Sequence, residues 1–142
     1  MLRPFLALVL VALVGPLLAA CSTNPATGQQ SFTAFMDSEE EARVGSSEHP
    51  KILERYGGAY DDPYVEKYIR ALGNKLAQYS ELPNLAFTFT VLDDEIVNAF
   101  ALPGGYVYVT RGLLGILNTE AELAGVMGHE IGHVTARHGA RR

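Results

Sequence analysis

The pentapeptide His129-Glu130-Ile131-Gly132-His133, near the C-terminal end of this 142-residue chain, constrains the fold more than any other feature. A helix turns about 100° per residue, so two His four positions apart lie one turn apart on one face, where both imidazoles can reach a single Zn²⁺. Glu130 then lies beside the metal, where its carboxylate can take a proton from a zinc-bound water whose pKa is lowered to about 7. The pattern therefore requires residues 129–133 to form a helix.

The preceding residues predict such a helix, from about residue 119 to residue 138. Thr119 and Glu122 form a capping-box pattern at its start. Apolar residues follow at helical spacing, namely Leu123, Val126, Met127, Ile131 and Val134. The alternative is a pair of hydrogen-bonded core histidines with a solvated or ion-paired Glu130. Because two His and an acid are costly to bury without compensating partners, we favour the metal site.

Three glycines, Gly125, Gly128 and Gly132, lie within this predicted helix. Each lowers helix stability by about 1 kcal/mol relative to Ala. We therefore predict that another element packs closely against this face of the helix.

Residues 97–110 predict a β-hairpin, because two β-prone runs flank a Pro-Gly-Gly turn. Its first strand can form the edge of a sheet, where an extended peptide adds through main-chain hydrogen bonds and Asn98 contributes a side-chain amide. In the alternative, an ordinary hairpin, Asn98 has no such role. Phe100, Tyr106 and Tyr108 favour a place in the core in either case, and the role of Asn98 stays open on this pattern alone.

The earlier part of the chain predicts helices. Ser38 and Glu41 form a second capping-box pattern, for a helix to about residue 47, and a further stretch follows Pro50. Asp62-Pro63 predicts the N-cap and first position of a helix that ends near Ser80. The apolar face of this helix comprises Tyr64, Tyr68, Ile69, Leu72 and Leu76.

A strand, a turn and a short helix complete the order of elements. Phe87, Phe89 and Val91 alternate with Thr residues, as in a half-buried strand. The acidic run at residues 93–95 predicts a solvated turn rather than a cation site, and residues 112–117 predict a short helix.

The first 21 residues resemble a bacterial lipoprotein signal. Arg3 gives a short basic start, residues 5–18 are largely apolar, and the sequence Leu-Ala-Ala before Cys21 resembles a lipobox. On that resemblance residues 1–20 are removed and Cys21 carries the lipid that anchors the chain to the membrane. Residues 21–36 then form a flexible linker, since they are rich in Ser, Thr, Asn, Pro, Gly and Gln.

The expected location is the bacterial cell envelope, at the periplasmic face of the outer membrane, because Ser22 follows the Cys as in outer-membrane lipoproteins. The alternative is a plain cleaved signal with an incidental Cys, which also places the domain outside the cytoplasm. Cys21 is the only Cys, so no disulfide forms within one chain. The net charge of −5 and the lack of a basic stripe argue against nucleic-acid binding.

The run NAFALPGGYVYVTRGLL followed by TEAELAGVMGHEIGHVTARHG is similar to zinc metallopeptidases of the HtpX and BepA type, relatives of the CAAX prenyl proteases. The resemblance covers about residues 24–142. It implies one Zn²⁺ per chain with His129 and His133 as ligands, and Glu130 as the general base. It also implies that Asn98 and Ala99 line the substrate cleft on an edge strand.

The third protein ligand of this family is a Glu on a helix well downstream of the motif. His138 is not a substitute, because it lies about 180° from His129 on a continuing helix. We therefore expect residues 37–142 to be the N-terminal portion of a zinc metallopeptidase domain, with the third ligand beyond Arg142.

These patterns predict an incomplete α+β, zincin-like domain, in which N-terminal helices precede a small sheet whose edge strand lies over the active-site helix. The predicted function is a zinc metalloendopeptidase that hydrolyses misfolded or misassembled envelope proteins, where the quality-control role rests on resemblance only. The alternative is a non-catalytic, chaperone-like lipoprotein that binds client polypeptides. A purely structural zinc site is disfavoured, since such sites usually have four protein ligands, often Cys.

Overall fold

A three-stranded mixed sheet lies at the centre of the fold. The computed structural model describes residues 21–23, 30–32 and 36–137, the first two ranges as backbone only. The elements are β1 (Cys21–Thr23), β2 (Gln30–Phe32), α1 (Ser38–Arg55), α2 (Pro63–Ala77), β3 (Thr88–Leu92), β4 (Ala99–Leu102), β5 (Tyr106–Thr110), α3 (Arg111–Leu114) and α4 (Glu120–Thr135). The predicted α+β class is confirmed. None of the described helices is both long and apolar enough to span a membrane.

The sheet has the strand order β3-β5-β4, with β3 parallel and β4 antiparallel to the central β5. The predicted hairpin is confirmed, and β4 is its edge strand. Gly104 and Gly105 in the turn have φ of 82° and 91°, a region that residues with a Cβ rarely adopt. The Pro-Gly-Gly sequence therefore determines where β4 ends.

The two faces of the sheet are covered by different helices. Val107 and Val109 of β5 belong to the main core with residues of α2 and α4, among them Ile69, Leu72, Met127 and Ile131. Tyr108 points to the other face, where it is fully buried and its hydroxyl lies 2.7 Å from Nδ1 of His49 in α1. The predicted core position of this tyrosine is confirmed.

The N-terminal helix differs from its prediction. α1 is one helix that continues through Pro50, and its N-cap is Asp37, whose carboxylate accepts a hydrogen bond from the Glu40 N–H at 2.8 Å. Pro in a helix interior removes one hydrogen bond and costs about 3 kcal/mol. The contacts of α1 with the aromatic face of the sheet offset this cost, because packing supplies most helical stability in proteins.

The second helix begins where it was predicted and ends three residues earlier. Asp62 Oδ1 accepts hydrogen bonds from the N–H groups of Tyr64 and Val65 at 2.9 and 3.1 Å, which confirms the N-cap. The predicted apolar face is wrong for its tyrosines, since Tyr64 is 86% and Tyr68 43% exposed. The buried face is instead centred on Ile69, Leu72, Gly73 and Ala77.

The segment that was predicted as a linker contains the antiparallel pair β1–β2, in which Cys21 is the partner of Phe32. The predicted signal, at residues 1–20, lies outside the described residues, as does His138.

The predicted close packing against the glycines of α4 is wrong. Apart from its chain neighbours and the backbone of its own helix, a Cβ atom added at Gly125, Gly128 or Gly132 meets no described atom within 4 Å. Close approach occurs instead at Gly45 of α1, where a Cβ would lie 2.2 Å from the carbonyl oxygen of Pro103. The sequence shows that a glycine lies within a helix, but it does not show which distant element packs against that glycine, as Pro103 does against Gly45.

Two Gly→Ala substitutions should therefore have opposite effects. Gly45→Ala should lower the free energy of unfolding by about 1 to 3 kcal/mol through overpacking against the hairpin turn. Gly128→Ala should raise it by up to about 1 kcal/mol through helix propensity. Urea unfolding followed by circular dichroism measures both, and a Gly45→Ala protein as stable as the wild type would contradict the packing of α1.

Tyr108 should make the protein sensitive to alkali. Burial raises the pKa of this tyrosine above its ordinary value of 10. The unfolded chain therefore loses the tyrosine proton first, so stability should fall once the pH exceeds about 10, with a slope approaching 1.4 kcal/mol per pH unit. In unfolding titrations up to pH 11.5, Tyr108→Phe should reduce this slope. The exposed control Tyr64→Phe should not change it, and equal slopes in both variants would contradict the prediction.

Candidate metal centre

The helix that carries the His-Glu-His cluster is fixed at both ends. At its start the predicted capping box is present, with Thr119 Oγ1 accepting from the Glu122 N–H at 3.2 Å and the Glu122 carboxylate accepting from the Thr119 N–H at 3.3 Å. The helix ends at Thr135, three residues before its predicted end, because Arg137 has a φ of 55° in the left-handed region.

Arg137 ties this end of the helix to the start of α1. Its guanidinium donates to Glu41 Oε1 at 2.8 Å and to the carbonyl oxygen of Met36 at 2.7 Å. The two side chains are only 17% and 14% exposed. This pair was not predicted from the sequence, because 96 residues separate its members and no local pattern connects them.

The two predicted metal ligands lie together on α4. The Nε2 atoms of His129 and His133 are 3.0 Å apart, with the rings almost perpendicular at 83°. Two nitrogens bound to one tetrahedral zinc ion are separated by about 3.3 Å, given Zn–N bonds of about 2.05 Å. The separation of the two Nε2 atoms therefore fits a shared metal ion after a small rotation of either ring.

Glu130 completes the cluster. Ligand-capable atoms of His129, Glu130 and His133 lie within 4.8 Å of one another, and among the described residues this is the only such group of His, Cys, Asp or Glu. Glu130 is 8% exposed and makes no hydrogen bond to another described residue. A buried acid without a hydrogen-bond partner is unfavourable for folding and is typical of functional sites.

The surroundings of Glu130 favour proton transfer. Burial raises the pKa of its carboxyl group, and the nearby His133 and His129 act in the opposite direction. A carboxylate that is poorly solvated and has no competing donor can accept a proton from a water molecule next to it.

An open cleft of about 680 Å³ begins at this cluster. His129 and Glu130 of α4 line it together with Asn98 and Ala99. The rest of its lining is mostly apolar or small, namely Val97, Leu113, Leu117, Ala121, Gly125 and Val126, with Glu122 as a further acid. Its size and mixed lining are typical of a ligand site.

Asn98 and Ala99 lie at the start of the edge strand. Ala99 is the first residue of β4 and pairs with Val109 of β5, so its other side is the free edge of the sheet. The main chain of Asn98 is bonded to Thr110, while its side-chain amide makes no hydrogen bond to another described residue. The structure thus brings both predicted residues to the cleft that His129 and Glu130 also line.

The acidic turn at residues 93–95 is partly neutralised. Arg111 lies 2.5 Å from Asp93 and 3.3 Å from Glu95, and Asp94 accepts the Ile96 N–H at 2.8 Å. The contacts of Arg111 with Asp93 and Glu95 were not predicted from the sequence. In the sequence, the contacts of Arg111 with the acidic turn are indicated only by its position directly after the hairpin. The second strand of the hairpin, β5, runs back toward the turn and places Arg111 beside Asp93.

Comparisons with known proteins identify relatives of this chain among the peptidases. A model of peptidase family M48 matches residues 63–142, more than half of the chain. Beta-barrel assembly-enhancing protease of Escherichia coli is 40% identical over 81 residues, which is 57% of this chain and 17% of that protein. Its namesake in Yersinia pestis is 41% identical over 80 residues, which is 56% of this chain and 16% of that protein.

Mitochondrial metalloendopeptidase OMA1 of Arabidopsis thaliana is 40% identical over 78 residues, which is 55% of this chain and 16% of that protein. The chain therefore spans about a sixth of the length of these three relatives. The family match confirms the resemblance that the sequence suggested.

Proposed function

Because the chain belongs to peptidase family M48, we propose that it is part of a zinc-dependent metalloendopeptidase that hydrolyses internal peptide bonds of polypeptides. One observation carries the proposal. The Nε2 atoms of His129 and His133 converge to 3.0 Å beside a buried Glu130 that has no hydrogen-bond partner among the described residues, at the end of a cleft bordered by a free strand edge.

In this proposal His129 and His133 hold the zinc, and a Glu further along the chain supplies the third protein ligand. Bound zinc would supply a Lewis acid that polarises the scissile carbonyl and lowers the pKa of a water ligand. Glu130 accepts the proton of the attacking water and later passes it to the leaving amine. The raised pKa of Glu130 brings its proton affinity closer to that required at neutral pH.

The free edge of β4 is proposed to hold the substrate. An extended peptide can pair with this edge through main-chain hydrogen bonds, which recognise any sequence. Ala99 would offer backbone groups and Asn98 its side-chain amide, and the peptide would pass beside His129 and Glu130. This arrangement suits unfolded chains, because a folded protein does not offer a free extended segment.

We propose misfolded or misassembled envelope proteins as substrates. The support is the name of two relatives, beta-barrel assembly-enhancing protease, together with the lipobox-like sequence before Cys21. Lipid on Cys21 would hold the domain at the periplasmic face of the outer membrane.

Substitution of the motif residues should separate metal binding from hydrolysis. Glu130→Gln should keep zinc and lower kcat by roughly 10² to 10⁴, because a general base contributes about that much. His129→Ala should lose both zinc and hydrolysis. Zinc is measured by elemental analysis and hydrolysis with fluorescein-labelled casein, using the full reading frame of the gene.

The matched control is Glu54→Gln, an exposed acid of α1 that should leave zinc and hydrolysis unchanged. Undiminished hydrolysis by Glu130→Gln would refute the role of Glu130. A wild-type protein that binds casein equally with and without zinc, and never cleaves it, would instead be the chaperone-like lipoprotein.

Cys21→Ser should abolish lipidation. The expected wild-type N-terminus is a lipid-modified Cys21, detected by mass spectrometry of the membrane fraction. The variant should lack this mass and leave the membrane fraction, whereas Ser22→Ala should keep both. An unmodified Cys21 in the wild type would contradict the anchor but not the peptidase activity.

A further inference from the structure

The loop at residues 93–98 leads into the edge strand and forms one wall of the cleft. Residues that follow β5 hold it in place. Arg111 pairs with two of its acids, and the Gly112 N–H donates to the carbonyl oxygen of Asp94 at 3.0 Å. A Cβ at Gly112 would lie 2.0 Å from the carbonyl oxygen of Glu95, so the two segments are packed as closely as a glycine allows.

Thr110 makes the innermost contacts with this loop. Its side chain is fully buried, and its Oγ1 accepts hydrogen bonds from the N–H groups of Asn98 at 3.1 Å and Leu113 at 3.3 Å. The same Oγ1 lies 2.5 Å from the carbonyl oxygen of Ile96 and 3.0 Å from that of Asn98, and donates its proton to these acceptors. A hydroxyl has one proton and two lone pairs, so its capacity is fully used.

Both segments bonded to this hydroxyl belong to the cleft. Asn98 forms part of the strand side, and Leu113 of α3 forms part of the apolar lining. Thr110 itself does not line the cleft and is not a member of the His-Glu-His cluster. The buried Oγ1 of Thr110 therefore joins two parts of the cleft wall, Asn98 and Leu113, without lining the cleft itself.

We propose that Thr110 is a positioning residue for substrate binding, and that its hydroxyl holds Asn98 and the start of β4 in the place where an extended peptide pairs. This inference rests on the proposed function, because it takes the free edge of β4 as the peptide site. It assigns the hydroxyl to substrate binding rather than to metal binding or proton transfer.

The hydroxyl can be removed with little change of shape. Thr110→Val replaces Oγ1 by a methyl group and leaves the N–H groups of Asn98 and Leu113 without their acceptor. Thr110→Ser keeps the oxygen and loses only a methyl group. A buried donor without a partner costs free energy, so we expect the strand edge in Thr110→Val to move until these N–H groups find water or another acceptor.

Steady-state hydrolysis of fluorescein-labelled casein by the zinc-loaded protein from the full reading frame tests the proposal. Thr110→Val should raise KM about tenfold and change kcat by less than about twofold. The reason is that hydrogen bonds to the strand edge bind the substrate equally well in the ground state and in the transition state, so their loss affects KM and not kcat. Thr110→Ser should restore a KM close to that of the wild type. Zinc content should be equal in all three proteins.

Ile69→Val is the control for stability alone, since this core side chain of α2 lies outside the cleft and its truncation costs about 1 kcal/mol. Its KM should match the wild type. An unchanged KM for Thr110→Val, or the same rise in Thr110→Ser or Ile69→Val, would overturn the positioning role.

Amide hydrogen exchange provides a second readout that does not depend on catalysis. In Thr110→Val the N–H of Asn98 should exchange at least about tenfold faster than in the wild type, while Ile131 in the core of α4 should be unaffected. If the wild type cleaves nothing, the proposed function fails. An unchanged exchange rate at Asn98 would then overturn the positioning role separately.

Discussion

Burial of one face of α4 against the sheet determines the geometry of the whole site. Leu123, Met127 and Ile131 are at most 5% exposed and form a stripe of contacts with the central strand. At about 100° per residue, this stripe fixes the direction of every other side chain on the helix. Glu130, next to Ile131, is placed at the boundary of the core, and His129 lines the cleft with its Nε2 atom 3.0 Å from that of His133. A one-residue shift in this packing would turn both imidazoles away.

Features that depend on neighbouring residues could be predicted from the sequence. The capping box at Thr119, the N-cap at Asp62 and the hairpin with its edge strand all arise from contacts within a few positions of the chain. The convergence of His129 and His133 is of the same kind, since one turn of helix separates them. A member of this fold is therefore recognisable from short patterns even where the chain covers a small part of its relatives.

Features that depend on distant residues were predicted wrongly or missed. α1 continues through Pro50 beside the aromatic face of the sheet, where His49 contacts Tyr108, and the residues around Pro50 do not reveal this distant contact. The glycines of α4 suggested close packing, but the close approaches occur at glycines of other helices, such as Gly45 of α1 and Gly112 of α3. The contacts of Thr110 have no local signal either, because the hydroxyl joins residues 12 and 14 positions earlier in the chain.

The pairing of β1 with β2 holds Cys21, the proposed lipid-bearing residue, close to the domain. Met36, which Arg137 ties to the end of α4, follows Cys21 by 15 residues, a span of about 50 Å when fully extended. Cys21 pairs with Phe32, so only the width of this strand pair and the four residues after Phe32 separate Cys21 from Met36. The longest possible distance between Cys21 and Met36 is then about 20 Å. The proposed lipid on Cys21 would then keep the cleft within roughly one domain diameter of the bilayer, and the polypeptides that it could reach would be those close to the membrane surface.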